Sequence, residues 1–164
     1  MNLKCILKRN VIKKLLFFAA FILCFKSNAQ PRAIYIVKNY YFDGVLQEGK
    51  LAAHGEELSI LRKLDEPFYY FTNEWTEEGS YSTGKIIGWH EVDKEIAYDF
   101  DINQNDDLIH AYEFKWKFEN SYDNVVGKAD VLFIEYGDEC DRFFTCIVNV
   151  ASQGLELKYE GYKE

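Results

Sequence analysis

The chain has 164 residues, of which 48% are hydrophobic and 17% aromatic, and this composition excludes an intrinsically disordered protein. Six of the 19 basic residues precede Gln30, whereas all 27 acidic residues follow it, so residues 30–164 carry a net charge of −14. Such a surface repels phosphate backbones and anionic lipids, and we therefore expect no nucleic-acid partner. Solubility alone explains this charge, and the alternative is that the surface binds a basic protein partner.

The first 29 residues are typical of a secretory signal peptide. A positive segment without acidic residues precedes the 11-residue apolar run Leu15–Phe25, and Ser27 and Ala29 provide the small residues of a cleavage site. The run is shorter than the about 20 residues that a membrane-spanning helix needs, so we expect no membrane span in the mature chain. The sequence predicts a removed signal at 1–29, a single domain at 30–164, and a periplasmic or extracellular location.

Strand-like alternation begins directly after the signal. Residues 32–42 are rich in β-branched and aromatic side chains and end at an Asp-Gly turn, and residues 67–71 indicate another strand. Residues 56–64 are ambiguous, because their leucines fit a helical stripe but also a hairpin that turns at His54-Gly55. We expect a short helix at 56–64.

From residue 80 onward the alternation is clearer. Short polar connections separate six predicted strands, which lie at 82–91, 94–102, 108–119, 129–137, 142–151 and 154–162. Strands joined by tight links form an antiparallel meander, which needs no crossover helices. The prediction is an all-β domain that closes into a small up-and-down, lipocalin-like barrel, with a β-sandwich as the alternative.

The meander resembles lipocalin-like barrels in outline. Such barrels usually carry Gly-x-Trp on the first strand, which this sequence lacks, and Gly88-Trp89 comes later with a different spacing. The resemblance therefore concerns the architecture and assigns the chain to no family.

The stripe of aromatic residues at 108–120 allows a register to be derived. If residues 103–107 form a turn, Phe100 faces His110 and Tyr98 faces Tyr112, and the aromatic side chains of both strands share one face. We predict that this face is the inner wall of the domain. Core packing alone explains most of the stripe, and the alternative is that the stripe is the wall of a ligand-binding site. The predicted site residues are Tyr98, Phe100, His110, Tyr112, Phe114 and Trp116.

His110 has two interpretations on this stripe. It is a polar anchor in an otherwise aromatic pocket, or it is a histidine whose nitrogens are satisfied by a carbonyl or tyrosine hydroxyl group, which is the simpler interpretation. Trp75 and Trp89 lie near predicted turns, and we interpret them as plugs at the ends of a barrel rather than as residues that stack on sugars.

The sequence shows no arrangement typical of catalysis or metal binding. Its three histidines lack metal-ligand spacing, and the acidic stretch 99–107 lacks the Gly and Glu of an EF-hand loop. We expect no catalytic residues, no metal and no cofactor. Cys140 and Cys146 remain after removal of the signal and can form a disulfide if the turn between them brings their Cα atoms within about 7 Å.

Three functions are compatible with these features. The first is an exported, non-catalytic domain that binds a small apolar, aromatic or sugar ligand. The second is an acidic protein-interaction module, such as an inhibitor or a subunit of an envelope assembly. The third is a glycan hydrolase with two converging carboxylates, for which the sequence singles out no pair.

Overall fold

The computed structural model describes residues 32–48, 55–62, 66–93, 95, 108–137 and 141–164, without the side chains of Arg32, Leu108 and Ile109. Arg32–Glu164 forms one compact unit. The described residues form nine strands: β1 (Arg32–Phe42), β2 (Val45–Leu46), β3 (Glu57–Arg62), β4 (Tyr69–Trp75), β5 (Ser80–Glu91), β6 (Leu108–Asn120), β7 (Val126–Gly137), β8 (Arg142–Val150) and β9 (Leu155–Lys163). In this part of the chain no helix is long and apolar enough to cross a membrane.

The strands pair antiparallel in nearly their chain order, β2-β1-β3-β4-β5-β6-β7-β8-β9. The first strand also pairs with β9, from Tyr35 to Phe42, which closes eight of the described strands into a barrel. The two-residue β2 lies outside the ring against the end of β1. The predicted all-β barrel is therefore confirmed, and the sandwich alternative is wrong.

The turn between β1 and β2 follows from its sequence. Asp43 and Gly44 have φ angles of 47° and 75°, as in a two-residue type I′ hairpin, which Asp-Gly favours. Phe42 and Val45 pair directly across the turn. The Asp-Gly turn predicted at the end of the first strand is confirmed.

The helix expected at 56–64 is wrong. Glu57–Arg62 forms β3, which pairs with β1 on one side and with β4 on the other. Leu58 and Ile60 are buried in the barrel core, whereas Leu61 is only half-buried. The period-two alternation decided the structure here, and the spacing of Leu58 and Leu61 fitted a helix only by coincidence.

The hairpin register expected for the aromatic stripe is also wrong. Tyr112 in β6 pairs with Glu91 of β5 and with Phe133 of β7, so no side of β6 is left at this point for Tyr98. Residues 92–107 connect β5 to β6, and they lie outside the described residues except for 92, 93 and 95. The predicted strand 94–102 is thus not the neighbour of β6 at Tyr112.

Aromatic side chains fill one half of the barrel interior. Phe71, Phe133 and Phe144 are fully enclosed, and Phe133 stacks on Phe144 with ring centroids 5.6 Å apart. Tyr35 packs edge-on against Phe133 at 4.7 Å. The interior of an eight-stranded barrel is just wide enough to be filled by side chains in this way.

Trp89 completes this filled half at the end of the barrel. A bulge in β5 between Ile87 and His90 sets two residues against one on β6 and turns Trp89 onto Phe114. The two rings are parallel within 4°, with centroids 5.2 Å apart, and Tyr112 lies 4.7 Å from the indole. This contact supports the interpretation of Trp89 as a plug.

Candidate functional site

The other half of the barrel holds a cavity of about 630 Å³. It lies where β4, β6 and β8 end and where β5 and β9 begin. Tyr81 and Tyr122 at its rim are 44% and 77% exposed, so the cavity opens to solvent at this end.

One wall of the cavity is polar. Asn73 of β4, Ser82 of β5 and Asn120 of β6 are direct neighbours across three adjacent strands. The Ser82 hydroxyl donates to Asn120 Oδ1 at 2.6 Å, and Asn73 Nδ2 donates to the Tyr159 hydroxyl at 2.8 Å. Asn73 Oδ1 is buried and has no hydrogen-bond partner among the described residues.

The wall across the ring is aliphatic. In the closed order of the strands, β8 and β9 lie opposite β4 and β5. Val148 pairs with Leu157, and Val150 pairs with Leu155, and all four side chains line the cavity. The cavity therefore has a polar side and an apolar side.

Aromatic side chains form the remainder of the wall. Trp116 and Phe118 follow one another on the inner face of β6, with ring centroids 4.7 Å apart. Trp75 packs edge-on against Tyr40 at 5.7 Å, and Tyr40 stacks on Tyr159 at 5.3 Å. Trp116 Nε1 is buried and, within the described part of the chain, has no hydrogen-bond acceptor.

Glu56, which immediately precedes β3, is a second buried polar group at this end of the barrel. It is 4% exposed, and neither of its carboxyl oxygens has a hydrogen-bond partner among the residues that the structure describes. Burial raises the pKa of Glu56 to about 8, and the nearby Asn73 side chain lowers it by a smaller amount. The carboxyl group is therefore largely protonated and uncharged at neutral pH.

The pKa values of the tyrosines beside Glu56 are also raised. Burial, followed by the charge of Glu56, raises the pKa of Tyr40 to about 12 and the pKa of Tyr159 well above its usual value. Burial and Glu56 raise the pKa of the fully enclosed Cys146 thiol in the same way. All three groups are neutral at physiological pH, so this part of the interior carries no charge of its own.

A different buried carboxylate, Glu135, lies toward the filled end and is fully paired. Its Oε1 accepts hydrogen bonds from the Tyr35 hydroxyl and, at 2.9 Å, from Lys163 Nζ. Burial, followed by the hydrogen bond and the charge of Glu135, raises the pKa of Tyr35. Glu56 precedes β3 beside the cavity, whereas Glu135 lies on β7 and is paired with Tyr35 and Lys163.

Among the predicted ligand-binding residues that the structure describes, Trp116 lines the cavity. Phe114 is buried in the filled half, where its ring lies 5.7 Å from that of Phe71, and Tyr112 is half-buried beside it. Tyr98 and Phe100 lie outside the described residues. The structure thus brings together only part of the predicted wall.

His110 is exposed rather than enclosed, contrary to expectation. Its ring stacks on Tyr112 at 5.5 Å, and its Nδ1 lies 3.5 Å from Glu91 Oε1. Cys146 is buried, and Cys140 lies outside the described residues, so the disulfide between them stays a prediction.

Sequence reasoning missed the polar residues of the site. Asn73, Ser82 and Asn120 lie on the inner face, whereas alternation assigns polar residues to the outer face. The sequence does indicate the apolar wall of the cavity on β9. Leu155 and Leu157 alternate with charged residues, which predicts an apolar inner face for the last strand.

The outer face of the barrel carries an unexpected basic row. Lys85, Lys117 and Lys128 are direct neighbours on β5, β6 and β7, and their side chains are exposed. Lys85 Nζ lies 3.6 Å from Glu66 Oε2. The acidic net charge of the chain is therefore not spread evenly over its surface.

Fold and site together define an eight-stranded antiparallel barrel with one filled half and one half that holds an aromatic cavity. Comparison with known proteins gave no matching family model, no matching curated protein and no matching solved structure. The function is therefore inferred from the geometry and chemistry of the cavity.

Proposed function

We propose that the protein is an exported, non-catalytic binding protein that takes a small ligand into the cavity of its barrel. The observation that carries this proposal is the cavity itself. Its volume of about 630 Å³ falls within the range of about 300–1,000 Å³ that is usual for small-molecule sites. Apolar and aromatic walls with a few placed polar groups are the usual composition of such sites.

The size of the side chains explains why this half of the barrel is hollow. In the filled half, the inward positions carry phenylalanine rings such as Phe71 and Phe133. In the other half, β5 presents the small side chains of Ser80 and Ser82 to the cavity. Small side chains on one strand leave a volume that neighbouring rings do not occupy.

We expect the substitution Leu157→Trp to abolish binding of a small aromatic probe. Leu157 is half-buried in the aliphatic wall, and a larger indole there occupies the cavity without disturbing the filled half. The measurement is a fluorescence titration of 1-aminoanthracene, an uncharged dye, with native mass spectrometry to count the bound molecules.

The matched control is Glu156→Trp, on the same strand with its side chain exposed on the outer face. This variant should bind the dye like the wild-type protein. If Leu157→Trp folds and binds the dye as well as Glu156→Trp does, the ligand is not held in the cavity and the proposed function is wrong.

Export is a separate part of the proposal, and it is supported by the signal-like segment at 1–29. We expect protein from the exported fraction to begin at Gln30 when its N-terminus is sequenced. A double substitution of Leu15 and Leu16 to Asp should interrupt the apolar run and retain the protein in the cell. An unprocessed N-terminus in exported material would contradict cleavage.

A further inference from the structure

We propose that the cavity binds a neutral sugar ring. This inference rests on the proposed function, because it names the class of ligand that the same cavity takes. The cavity, its two unlike walls and the hydrogen-bonding groups buried in them lead to it.

The two walls of the cavity match the two kinds of surface on a pyranose. A sugar ring carries hydroxyl groups around its edge and C–H groups on its faces. Asn73, Ser82 and Asn120 form the polar wall, and Leu157 with its aliphatic neighbours forms the opposite one. The aliphatic wall offers an apolar surface for a ring face.

The polar groups of the wall favour a ligand that forms hydrogen bonds. Asn73 Oδ1 is an acceptor and Trp116 Nε1 is a donor, and both are buried without a partner among the described residues. A buried group without a partner costs about 1–3 kcal/mol. Both atoms have less than 1 Å² of accessible surface, so they are not themselves contact points for a ligand. The half-buried Ser82 and Asn120 side chains are the groups that a ligand reaches, and they offer donors and acceptors to its hydroxyl groups.

The charges indicate a neutral ligand. Among the described residues that line the cavity there is no Lys, Arg or His, and Glu78 is the one carboxylate. A ligand carboxylate or phosphate would enter without a cation to pair with, which is unfavourable for a buried charge. Neutral sugars are therefore favoured over fatty acids and over acidic sugars.

The test compares phenyl β-glycosides with two counterparts of the same shape. The neutral probes are the phenyl β-glycosides of glucose, galactose, mannose and N-acetylglucosamine, measured by isothermal titration calorimetry. Cyclohexyl phenyl ether has a similar two-ring shape, with cyclohexane in place of the pyranose and no hydroxyl groups, and phenyl β-glucuronide has a carboxylate in place of the hydroxymethyl group of the glucoside. We expect at least one neutral glycoside to bind about tenfold or more tightly than either counterpart, because one unmade hydrogen bond is worth about that factor.

The outcomes separate this inference from the proposed function. If 1-aminoanthracene binds in the cavity but no neutral glycoside does, or if cyclohexyl phenyl ether binds as tightly as the best glycoside, the sugar inference is wrong and the proposed function stands. If the glucuronide binds as tightly as phenyl β-glucoside, the neutral class is wrong.

Variants locate the binding groups. Ser82→Ala removes a hydroxyl group from the polar wall. It should weaken glycoside binding by about tenfold relative to the wild-type protein. Thr83→Ala is the control, because Thr83 is the next residue on β5 and bonds Thr72 at 2.7 Å instead of lining the cavity. Equal affinity in Ser82→Ala and Thr83→Ala would contradict the polar wall as the binding surface.

Discussion

The substitution Glu56→Gln is expected to stabilise the protein at pH 8 while leaving its stability near pH 5 almost unchanged. The pKa of Glu56 is raised from 4.5 to about 8 by burial, so between these values the folded chain holds a proton that the unfolded chain has lost. The contribution of a neutral Glu56 is thus fully present below about pH 4.5 and is lost as the pH rises through 8. Each pH unit within this window lowers the free energy of unfolding by roughly 1.4 kcal/mol.

The readout is the difference in unfolding free energy between the variant and the wild-type protein, measured by urea denaturation at several pH values. Tyr40, Cys146 and Tyr159 face Glu56, and because their pKa values are raised they stay neutral across this range. Glu119→Gln, at an exposed site on β6, is the control and should keep the wild-type pH dependence. If the difference in unfolding free energy between Glu56→Gln and the wild-type protein stays constant from pH 5 to 8, the buried carboxyl group does not cause the pH dependence of stability.

The substitution Gly84→Ala is expected to destabilise the barrel by about 4 kcal/mol or more, which is exceptional for one methyl group. Gly84 lies between Phe71 of β4 and Phe118 of β6, and a Cβ atom there would lie 1.6 Å from the Lys117 carbonyl oxygen. Backbone of a paired strand cannot move away as a flexible side chain can. The pairing of β5 with β6 must therefore open. Chemical denaturation monitored by far-UV circular dichroism measures the loss.

Gly154→Ala is the comparison for this effect. Gly154 has a φ of +61°, and a Cβ atom there meets nothing within 4 Å, so the cost is the conformational strain of about 1–2 kcal/mol alone. If Gly84→Ala costs no more than Gly154→Ala, the close approach of the two strands is absent in solution.

The sequence predicts the strands well because period-two alternation is a local property. Most strands from β5 onward lie within a few residues of their expected positions, and the β1–β2 turn follows from Asp43-Gly44 alone. The partner of β6 could not be derived in the same way. Tyr112 pairs with Glu91, which becomes its neighbour through a long connection at 92–107, whereas the register arithmetic assumed the nearest turn.

The candidate site was harder to predict than the fold. Trp116 belongs to the predicted aromatic wall, but the cavity depends on which end of the barrel has small inward residues, and that requires the alignment of β4, β5 and β6. Asn73 and Ser82 are polar residues on an inner face, which alternation alone assigns to solvent. A bulge in β5 moves Trp89 inward, and no local signal indicates its position beforehand.

Trp89 packs on Phe114 toward the end of the barrel away from the cavity opening, and it is 37% exposed there. A ligand of this cavity should pass Tyr81 and Tyr122 at the rim, so substituting them is expected to change the rates of association and dissociation. A molecule longer than the cavity must leave its remainder in solvent. If the proposed function is right, we expect the cavity to accept one end of a longer molecule.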